Sequence, residues 1–150
     1  MIQSSRSLFE EILDGVFETH GIVDFHPEEF APARREIPPV QLWTGIVPTA
    51  WVCQRLRIAS GGPVHINSGY RPQWFNNSIG GAPGSQHLWF TAADIVSVKW
   101  TPEEVFEWLE EQSFSTLIAI GRYGTFTHID TRHWKGSPLE GESPARWDNR

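Results

Sequence analysis

Apolar residues recur at helical spacing in three parts of the chain, and each part carries a signal for a helix end. The first predicted helix begins with a capping box that starts at Ser7, and it ends at Gly21. The second runs from Pro48, a favoured residue of the first turn, to a glycine pair at 61–62. The third begins at Thr101, where Thr-Pro-Glu-Glu combines a capping box with a proline at the first helical position.

Shorter apolar runs between these helices predict strands. They lie at 64–66, 92–96, about 116–120 and 125–130. Residues 22–43 are rich in proline and charge and predict an irregular connection, whereas the glycines and prolines of 136–150 predict a loose, flexible tail. Because the strands are grouped with helices to one side, the pattern favours an α+β fold over a βαβ array.

Composition limits the classes of protein to which the chain can belong. Its 150 residues suit a single domain, 1–150, with a core large enough to fold alone. The formal net charge of −6 argues against nucleic acid as a partner. Cys53 is the only cysteine, so an internal disulfide is excluded, and its apolar neighbours predict a buried structural thiol.

The first 17 residues are amphipathic and carry acidic side chains, so they do not resemble a signal peptide, which needs a basic start and an uninterrupted apolar run. No window of the sequence approaches the length of a membrane span. We therefore expect a protein that is synthesised in the cytoplasm and would need outside help to leave it. We also expect a monomer.

His87, Asp94 and His128 are the residues with the clearest chemistry. Two histidines and a carboxylate commonly bind a catalytic zinc and leave a fourth position open, although the same set also suits iron(II). On one helix, seven residues would separate His87 from Asp94 by about 10 Å. Zinc ligands lie only about 2.0–2.2 Å from the metal, so the chain must turn back between the two residues. We expect His87 in the loop before the strand at 92–96.

Several short motifs resemble, in this order, those of the zinc D-alanyl-D-alanine carboxypeptidase family. They are INSGYR (66–71), an asparagine at 76 or 77, GGA (80–82), SxH (85–87), AxD (92–94) and GRYGxFxHIDxR (121–132). The last motif resembles the small, phage-type branch of this group of peptidoglycan peptidases, which is itself similar to the hedgehog signalling domain. The resemblance covers about 45–132. It implies a small antiparallel sheet flanked by helices, with zinc (Zn²⁺) bound on the face of the sheet.

The resemblance also implies roles for individual residues. His87, Asp94 and His128 match the three zinc ligands, and Arg71 matches the arginine that holds a substrate carboxylate or polarises the scissile carbonyl. An arginine suits this role because its planar fork donates two parallel hydrogen bonds. The residues expected to contact substrate are Arg71, Ser85, Trp89 and Tyr70, with Trp74, Phe90 and Trp134 as further candidates for the cleft walls and His133 as a possible contact.

Two positions depart from the family pattern. Phe90 stands where many relatives have a glycine, so it either distorts the loop or adds an aromatic wall. Thr125 stands where a common family arrangement has the acidic general base, and threonine cannot take over that function. Asp130 is the nearest carboxylate and lies two residues along a strand from His128, on the same face. We hypothesise that Asp130 either acts as the base or orients the site; a purely structural pair with Arg132 is the alternative.

The sequence therefore predicts a zinc metallopeptidase that cleaves peptidoglycan stem peptides, with the D-Ala-D-Ala bond as the leading candidate. Two other classes stay open. One is a zinc-containing module that binds cell wall or protein and has lost its general base, as Thr125 would allow. The other is a structural component in which zinc only stabilises a small fold.

Overall fold

The computed structural model describes residues 4–32 and 36–150, which form α-helices, short 3₁₀ helices and a five-stranded sheet. The α-helices are α1 (Ser5–Thr19), α2 (Pro27–Phe30), α3 (Val47–Ser60), α4 (Gln73–Ser78) and α5 (Pro102–Glu111). Short 3₁₀ helices cover Val40–Ile46, Gln86–Trp89 and Ser115–Leu117. The strands are β1 (Val64–Ser68), β2 (Ala92–Ser97), β3 (Ala119–Arg122), β4 (Thr127–Asp130) and β5 (Arg146–Asp148).

The strand order in the sheet is β1-β2-β4-β3-β5. The first four strands pair in antiparallel fashion, and β5 pairs with β3 in parallel. The β3–β4 hairpin places the two strands of the last sequence motif side by side at the centre of the sheet. This arrangement confirms the predicted α+β class and the small, mostly antiparallel sheet.

The sequence signals for a helix end are confirmed at the end of α3 and at the start of α5, but not at the start of α1. Helix α3 ends at Gly61, whose φ of 70° is the left-handed conformation that glycine adopts without strain. At the start of α5, the side chain of Thr101 accepts a hydrogen bond from the Glu104 N–H. Helix α1, however, begins earlier than predicted. Its N-cap is Ser4, whose side chain accepts a hydrogen bond from the Ser7 N–H, so the predicted start at Ser7 is wrong.

Two segments predicted to be irregular contain regular structure. The connection 22–43 includes α2 and the beginning of the 3₁₀ helix at Val40; its residues 33–35 lie outside the described part of the chain. Within the predicted tail 136–150, Arg146–Asp148 form β5, which corrects the expectation of a loose segment at those residues. The strand is fixed because Arg146 donates hydrogen bonds to the backbone carbonyls of Ile118 and Ser115, and Trp147 packs over the sheet.

The two faces of the sheet carry different kinds of residue. This is possible because successive side chains of a strand point to opposite faces. One face carries apolar residues that pack against buried side chains of α1, α3 and α5. These strand residues are Ala93 and Ile95 on β2, Ile120 on β3 and Ile129 on β4. Cys53 on α3 lies in the same core, fully buried, and its burial raises the pKa of the thiol.

The opposite face of β2 and β4 carries Asp94, His128 and Asp130. The core therefore lies between the helices and the sheet, and the polar residues lie on the other side. Among the described residues, the helices are too short or too polar to cross a membrane.

Candidate metal centre

A single row of paired residues crosses the sheet at the site. In register, Ser68 is opposite Asp94, Asp94 is opposite His128, His128 is opposite Gly121, and Gly121 is opposite Trp147. Paired residues of neighbouring strands place their side chains on the same face. The pairing of β2 with β4 therefore brings Asp94 and His128 together although they are 34 positions apart in sequence.

His87 reaches the row from outside the sheet, on the 3₁₀ helix that precedes β2. Ser85 is the N-cap of this helix, and its hydroxyl accepts a hydrogen bond from the His87 N–H. Phe90 ends the helix in the left-handed conformation and so reverses the chain toward Asp94. The Arg71 N–H donates to the His87 carbonyl and ties this turn to the end of β1. The predicted reversal between His87 and Asp94 is thus present.

Three potential metal ligands converge at one point. Nε2 of His87 lies 3.2 Å from Oδ1 of Asp94, and Nδ1 of His128 lies 3.0 Å from the same oxygen. One ligand atom from each residue lies within 4.8 Å of the others, and all three residues are buried. This is the set of residues that the sequence motifs predict as ligands.

The hydrogen bonds of the two imidazoles test whether the cluster suits a cation. Nδ1–H of His87 donates to the Gly69 carbonyl at 2.7 Å, and Nε2–H of His128 donates to Oδ2 of Asp130 at 2.7 Å. In the neutral tautomers that these partners select, the remaining ring nitrogens carry lone pairs directed at Asp94. Three acceptors that face one another repel unless a cation or extra protons lie between them. Metal-bound histidines show this same pattern, with the second nitrogen bonded to an oxygen, so the residues fit a metal.

The carboxylate of Asp94 is shared between two neighbours. Oδ1 faces the imidazoles, whereas Oδ2 accepts a hydrogen bond from Nη2 of Arg71 at 3.0 Å. Burial raises the pKa of Asp94, but the hydrogen bonds with His128 and His87 outweigh it and hold the pKa well below its usual range. Asp94 is therefore an anion at neutral pH, as a metal ligand must be.

The two histidines differ in their environment. Burial lowers the pKa of His87, and the hydrogen bond and charge of Asp94 compensate only in part. Burial also lowers the pKa of His128, but hydrogen bonds with Asp130 and Asp94 outweigh the burial, so the net direction is upward. His128 thus lies between two carboxylates, whereas His87 contacts one.

Asp130 lies behind His128, away from the point of convergence. It is fully buried, and both of its oxygens are in use. Oδ1 accepts hydrogen bonds from the backbone N–H and Nε of Arg132, while Oδ2 accepts from Nη2 of Arg132 and Nε2 of His128. Burial raises the pKa of Asp130, but Arg132 and then His128 outweigh it and lower the pKa to about 2. This geometry suits a residue that orients His128.

The three candidate ligands line a cavity of about 620 Å³. Its wall includes Arg71, Ser85, Gln86, Tyr123, Arg132, Trp147 and Asn149. Two of these residues are cations, and Asp94 is the one acidic residue in the wall among the described residues. Thr125 lies exposed on the β3–β4 turn and is not part of the wall. The cavity is therefore rich in hydrogen-bond donors.

The four residues expected to contact substrate fall in three places. Arg71 and Ser85 lie in the wall of the metal cavity. Trp89 lines a neighbouring cavity of about 570 Å³, which shares Gln86 and Arg132 with the first. Tyr70 is buried and packs edge-on against Phe90, with ring centroids 6.0 Å apart, and its burial raises the pKa of the phenol.

Phe90 adopts the left-handed backbone conformation, which glycine adopts without strain. Its φ of 57° makes it the one described residue other than glycine with positive φ. The side chain is fully buried against Phe9 and Tyr70. Phe90 contributes to the core and not to the wall of the metal cavity.

The remaining aromatic candidates also lie elsewhere. Trp74 is on the surface, where its Nε1–H donates to Glu36, and Trp134 packs against Trp51. His133 is buried and makes two hydrogen bonds with the backbone: its Nδ1 lies 3.0 Å from the Leu139 carbonyl, and its Nε2 accepts from the Ala145 N–H. These contacts give His133 a structural role in holding the C-terminal segment.

The sequence analysis missed the residues that β5 brings to the cavity. Trp147 and Asn149 lie in the wall, and Tyr123, which belongs to a recognised motif, lies beside them. The pattern Arg-Trp-Asp-Asn at 146–149 was the available signal, since a tryptophan in a short polar segment rarely stays in solvent. The surrounding glycines and prolines instead favoured the prediction of a loose tail.

Three buried side chains that could bind a metal line one donor-rich cavity, an arrangement that fits the site of a metal-dependent enzyme. Comparison with protein families then identifies the class: the model of the family Peptidase M15 matches residues 19–130. The chain belongs to this peptidase family, as its motifs predict. Among curated proteins, none matches the chain significantly. The match ends at Asp130, so Trp147 and Asn149 lie outside it.

Proposed function

We propose that this protein is a zinc-dependent peptidase that cleaves stem peptides of peptidoglycan, with the terminal D-Ala-D-Ala bond as its first candidate substrate. The observation that carries the proposal is the convergence of His87 Nε2, Asp94 Oδ1 and His128 Nδ1 at the bottom of an open cavity. A bound zinc would polarise a peptide carbonyl and lower the pKa of water, which is the chemistry that hydrolysis needs.

The charges of the cavity favour a substrate that ends in a carboxylate. Arg71 and Arg132 are the cations of its wall, and the carboxylates that contact them, Asp94 and Asp130, engage only part of each guanidinium. In both arginines Nη1 makes no hydrogen bond within the described residues. A free Nη1 is a charged donor that suits a carboxylate or carbonyl of the peptide. Cleavage next to a free C-terminus is therefore the preferred form of the reaction.

Asp130 acts in this proposal as a positioning residue. Its hydrogen bond fixes the tautomer and the ring orientation of His128, so that Nδ1 presents its lone pair to the metal. Its two oxygens already accept four hydrogen bonds, so neither oxygen is left to accept a proton from a reacting group in the cavity. The hypothesis that Asp130 is the general base is thus the weaker of the two.

One observation favours a second candidate, a binding module without catalysis. Among the described residues, the cavity wall contains no carboxylate besides the proposed ligand Asp94, and Thr125 lies outside the cavity. A module of this kind would bind zinc and a stem peptide but release the peptide uncut. Turnover separates the two candidates directly.

The deciding experiment is a digest read by mass spectrometry. Zinc-loaded protein is incubated with purified peptidoglycan, with a soluble pentapeptide ending in D-Ala-D-Ala, and with the same peptide as its C-terminal amide. We expect loss of one D-alanine from the free acid, slower cleavage of the amide, and no product with His87→Ala. A product cut further up the stem would support the peptidase activity but identify a different scissile bond.

A lack of product from every substrate, with zinc confirmed by elemental analysis, would overturn the peptidase. Titration of the pentapeptide into the zinc-loaded protein by calorimetry then tests the binding module. Binding that depends on Arg71, compared through Arg71→Lys, would support that second candidate. Absence of binding would reject both.

A further inference from the structure

Trp147 reaches the metal centre because of a glycine. Gly121 pairs with His128 on one side and with Trp147 on the other. A Cβ atom at Gly121 would lie 2.3 Å from Cε2 of Trp147, so the indole lies directly over this position. The indole thereby extends across β3, and its ring centroid is 5.0 Å from that of His128. The Arg132 guanidinium carbon also lies over the indole, 5.5 Å from its centroid.

Tyr123 lies at the far end of the same indole. Nε1–H of Trp147 donates to the Tyr123 hydroxyl oxygen at 3.2 Å, and Nδ2–H of Asn149 donates to it at 3.4 Å. The phenol ring is stacked on Phe126, with centroids 4.3 Å apart and an interplanar angle of 11°. The hydroxyl is therefore held by contacts on the ring and on the oxygen, in the wall of the cavity that also includes His128.

These contacts determine what the hydroxyl can still do. A phenol has one O–H donor and an oxygen that accepts up to two hydrogen bonds. Trp147 and Asn149 fill the accepting positions, which leaves the O–H as the free function. Within the described part of the chain, no acceptor lies within hydrogen-bond distance of this O–H. Since Tyr123 lines the metal cavity, the proton is available to a molecule bound there.

We propose that the Tyr123 hydroxyl donates a hydrogen bond to an oxygen of the bound peptide, and that β5 exists in this chain to orient that donor. The proposal rests on the proposed function, because it needs a peptide in the cavity. The acceptor of this hydrogen bond is a peptide oxygen, which belongs either to the scissile carbonyl or to the terminal carboxylate. Tyr123 would then be a catalytic residue in the first case and a specificity residue in the second.

The test is Tyr123→Phe, which removes the hydroxyl and keeps the ring that stacks on Phe126. Zinc content and melting temperature are measured first and are expected to match the wild-type protein. The rate constants are then compared on the D-Ala-D-Ala pentapeptide. If the hydroxyl serves the scissile carbonyl, kcat falls about 100-fold, the usual effect of losing one donor to a developing oxyanion.

The amidated peptide distinguishes the two oxygens. A hydroxyl that holds the terminal carboxylate raises KM by about 10-fold on the free acid when it is lost, and has no effect on the amide. A hydroxyl that serves the scissile carbonyl lowers kcat equally on both peptides, because only interactions made in the transition state change kcat. Either result supports the proposal, and unchanged constants on both peptides overturn it.

A double-mutant comparison separates contact with substrate from support of Trp147. Tyr123→Phe is combined with Trp147→Phe, in which no indole N–H remains for the hydroxyl to hold. If Tyr123→Phe alone loses at least as much activity as Trp147→Phe, and the double variant is no more active than Tyr123→Phe, the hydroxyl acts on the substrate and Trp147 orients it. If Tyr123→Phe loses less activity than Trp147→Phe and the double variant equals Trp147→Phe, Tyr123 acts only through Trp147 and the proposal is overturned. This comparison also applies if Tyr123→Phe alone lowers the melting temperature.

The outcomes also distinguish this inference from the proposed function. If the wild-type protein cleaves no stem peptide, the peptidase proposal fails and the Tyr123 proposal fails with it. If the wild-type protein is active and Tyr123→Phe equals it, the peptidase stands and only the role of Tyr123 is wrong.

Discussion

At the scale of single residues, the metal centre depends on which nitrogen each histidine presents. The Gly69 carbonyl selects Nε2 of His87, and Asp130 selects Nδ1 of His128. One partner is backbone and cannot be removed by mutation, whereas the other is a side chain. A substitution at Asp130 can therefore change the orientation of His128 while His128 itself is kept.

Asp130→Asn is expected to raise the Kd for zinc by about 10- to 100-fold, the usual cost of losing the hydrogen-bond partner of a metal-bound histidine. At saturating zinc, activity should stay within about 10-fold of the wild-type protein, because a positioning residue does not transfer the proton. Zinc affinity is measured by competition with a chelator, and kcat at saturating metal. A loss of about 100-fold or more with zinc bound would instead identify Asp130 as the general base.

Phe90 combines two opposing effects in one residue. A residue other than glycine in the left-handed region costs about 1–2 kcal/mol, while a fully buried phenylalanine contributes about 3–5 kcal/mol relative to alanine. We expect Phe90→Ala to lower the free energy of unfolding by about 3–5 kcal/mol. Phe90→Gly should cost about 1 kcal/mol less, because glycine relieves the backbone strain that alanine keeps. Urea denaturation of both variants checks this order, and a less stable glycine variant would contradict it.

At the scale of elements, β5 is attached to the sheet by a close fit over β3. Gly121→Ala places a methyl group where the indole of Trp147 lies, so we expect a loss of about 1–3 kcal/mol from overpacking and a lower activity. Gly124→Ala is the matched control, since a Cβ there meets nothing within 4 Å and the residue does not have positive φ. Equal stability of the two variants would show that β5 is not held by this contact.

The elements differ in how far the sequence predicts them, and the reason is physical. Helices α3 and α5 have local signals, because the capping of Thr101 and the left-handed Gly61 act within a few residues. The convergence of the three candidate ligands was also predictable, since the motifs fix their order and spacing. Strand β5 has three residues and is held by contacts with distant parts of the chain, such as Arg146 with Ser115. No short window of sequence contains that information.

The site residues illustrate the same limit. The sequence places Phe90 among cleft candidates because an aromatic side chain beside a motif suggests a wall. Only the direction of the chain after Phe90 shows that its ring enters the core. Conversely, nothing near Trp147 in sequence indicates that its indole approaches His128, because the strand pairing of β5 with β3 creates the contact.

At the scale of the whole molecule, the sheet separates the residues of the hydrophobic core from the residues of the candidate site. Its helix-facing side packs against a core that includes Phe9, Leu56 and Leu109, while the candidate ligands Asp94 and His128 lie on the other side. We therefore expect the protein to fold without the metal and to gain stability when the metal binds. This separation argues against the class in which zinc only holds a small fold together.

Metal removal tests this separation. With a chelator at 25 °C, the far-ultraviolet circular dichroism should keep its helical signal, because the core stays intact without metal. Zinc at about 1,000 times its Kd should stabilise the protein by about 4 kcal/mol, which for a domain of this size corresponds to a rise of about 8–16 °C in Tm. His87→Ala should abolish the rise and leave the apo protein folded. Collapse of the helical signal on chelation would show instead that the metal is a structural requirement of the fold.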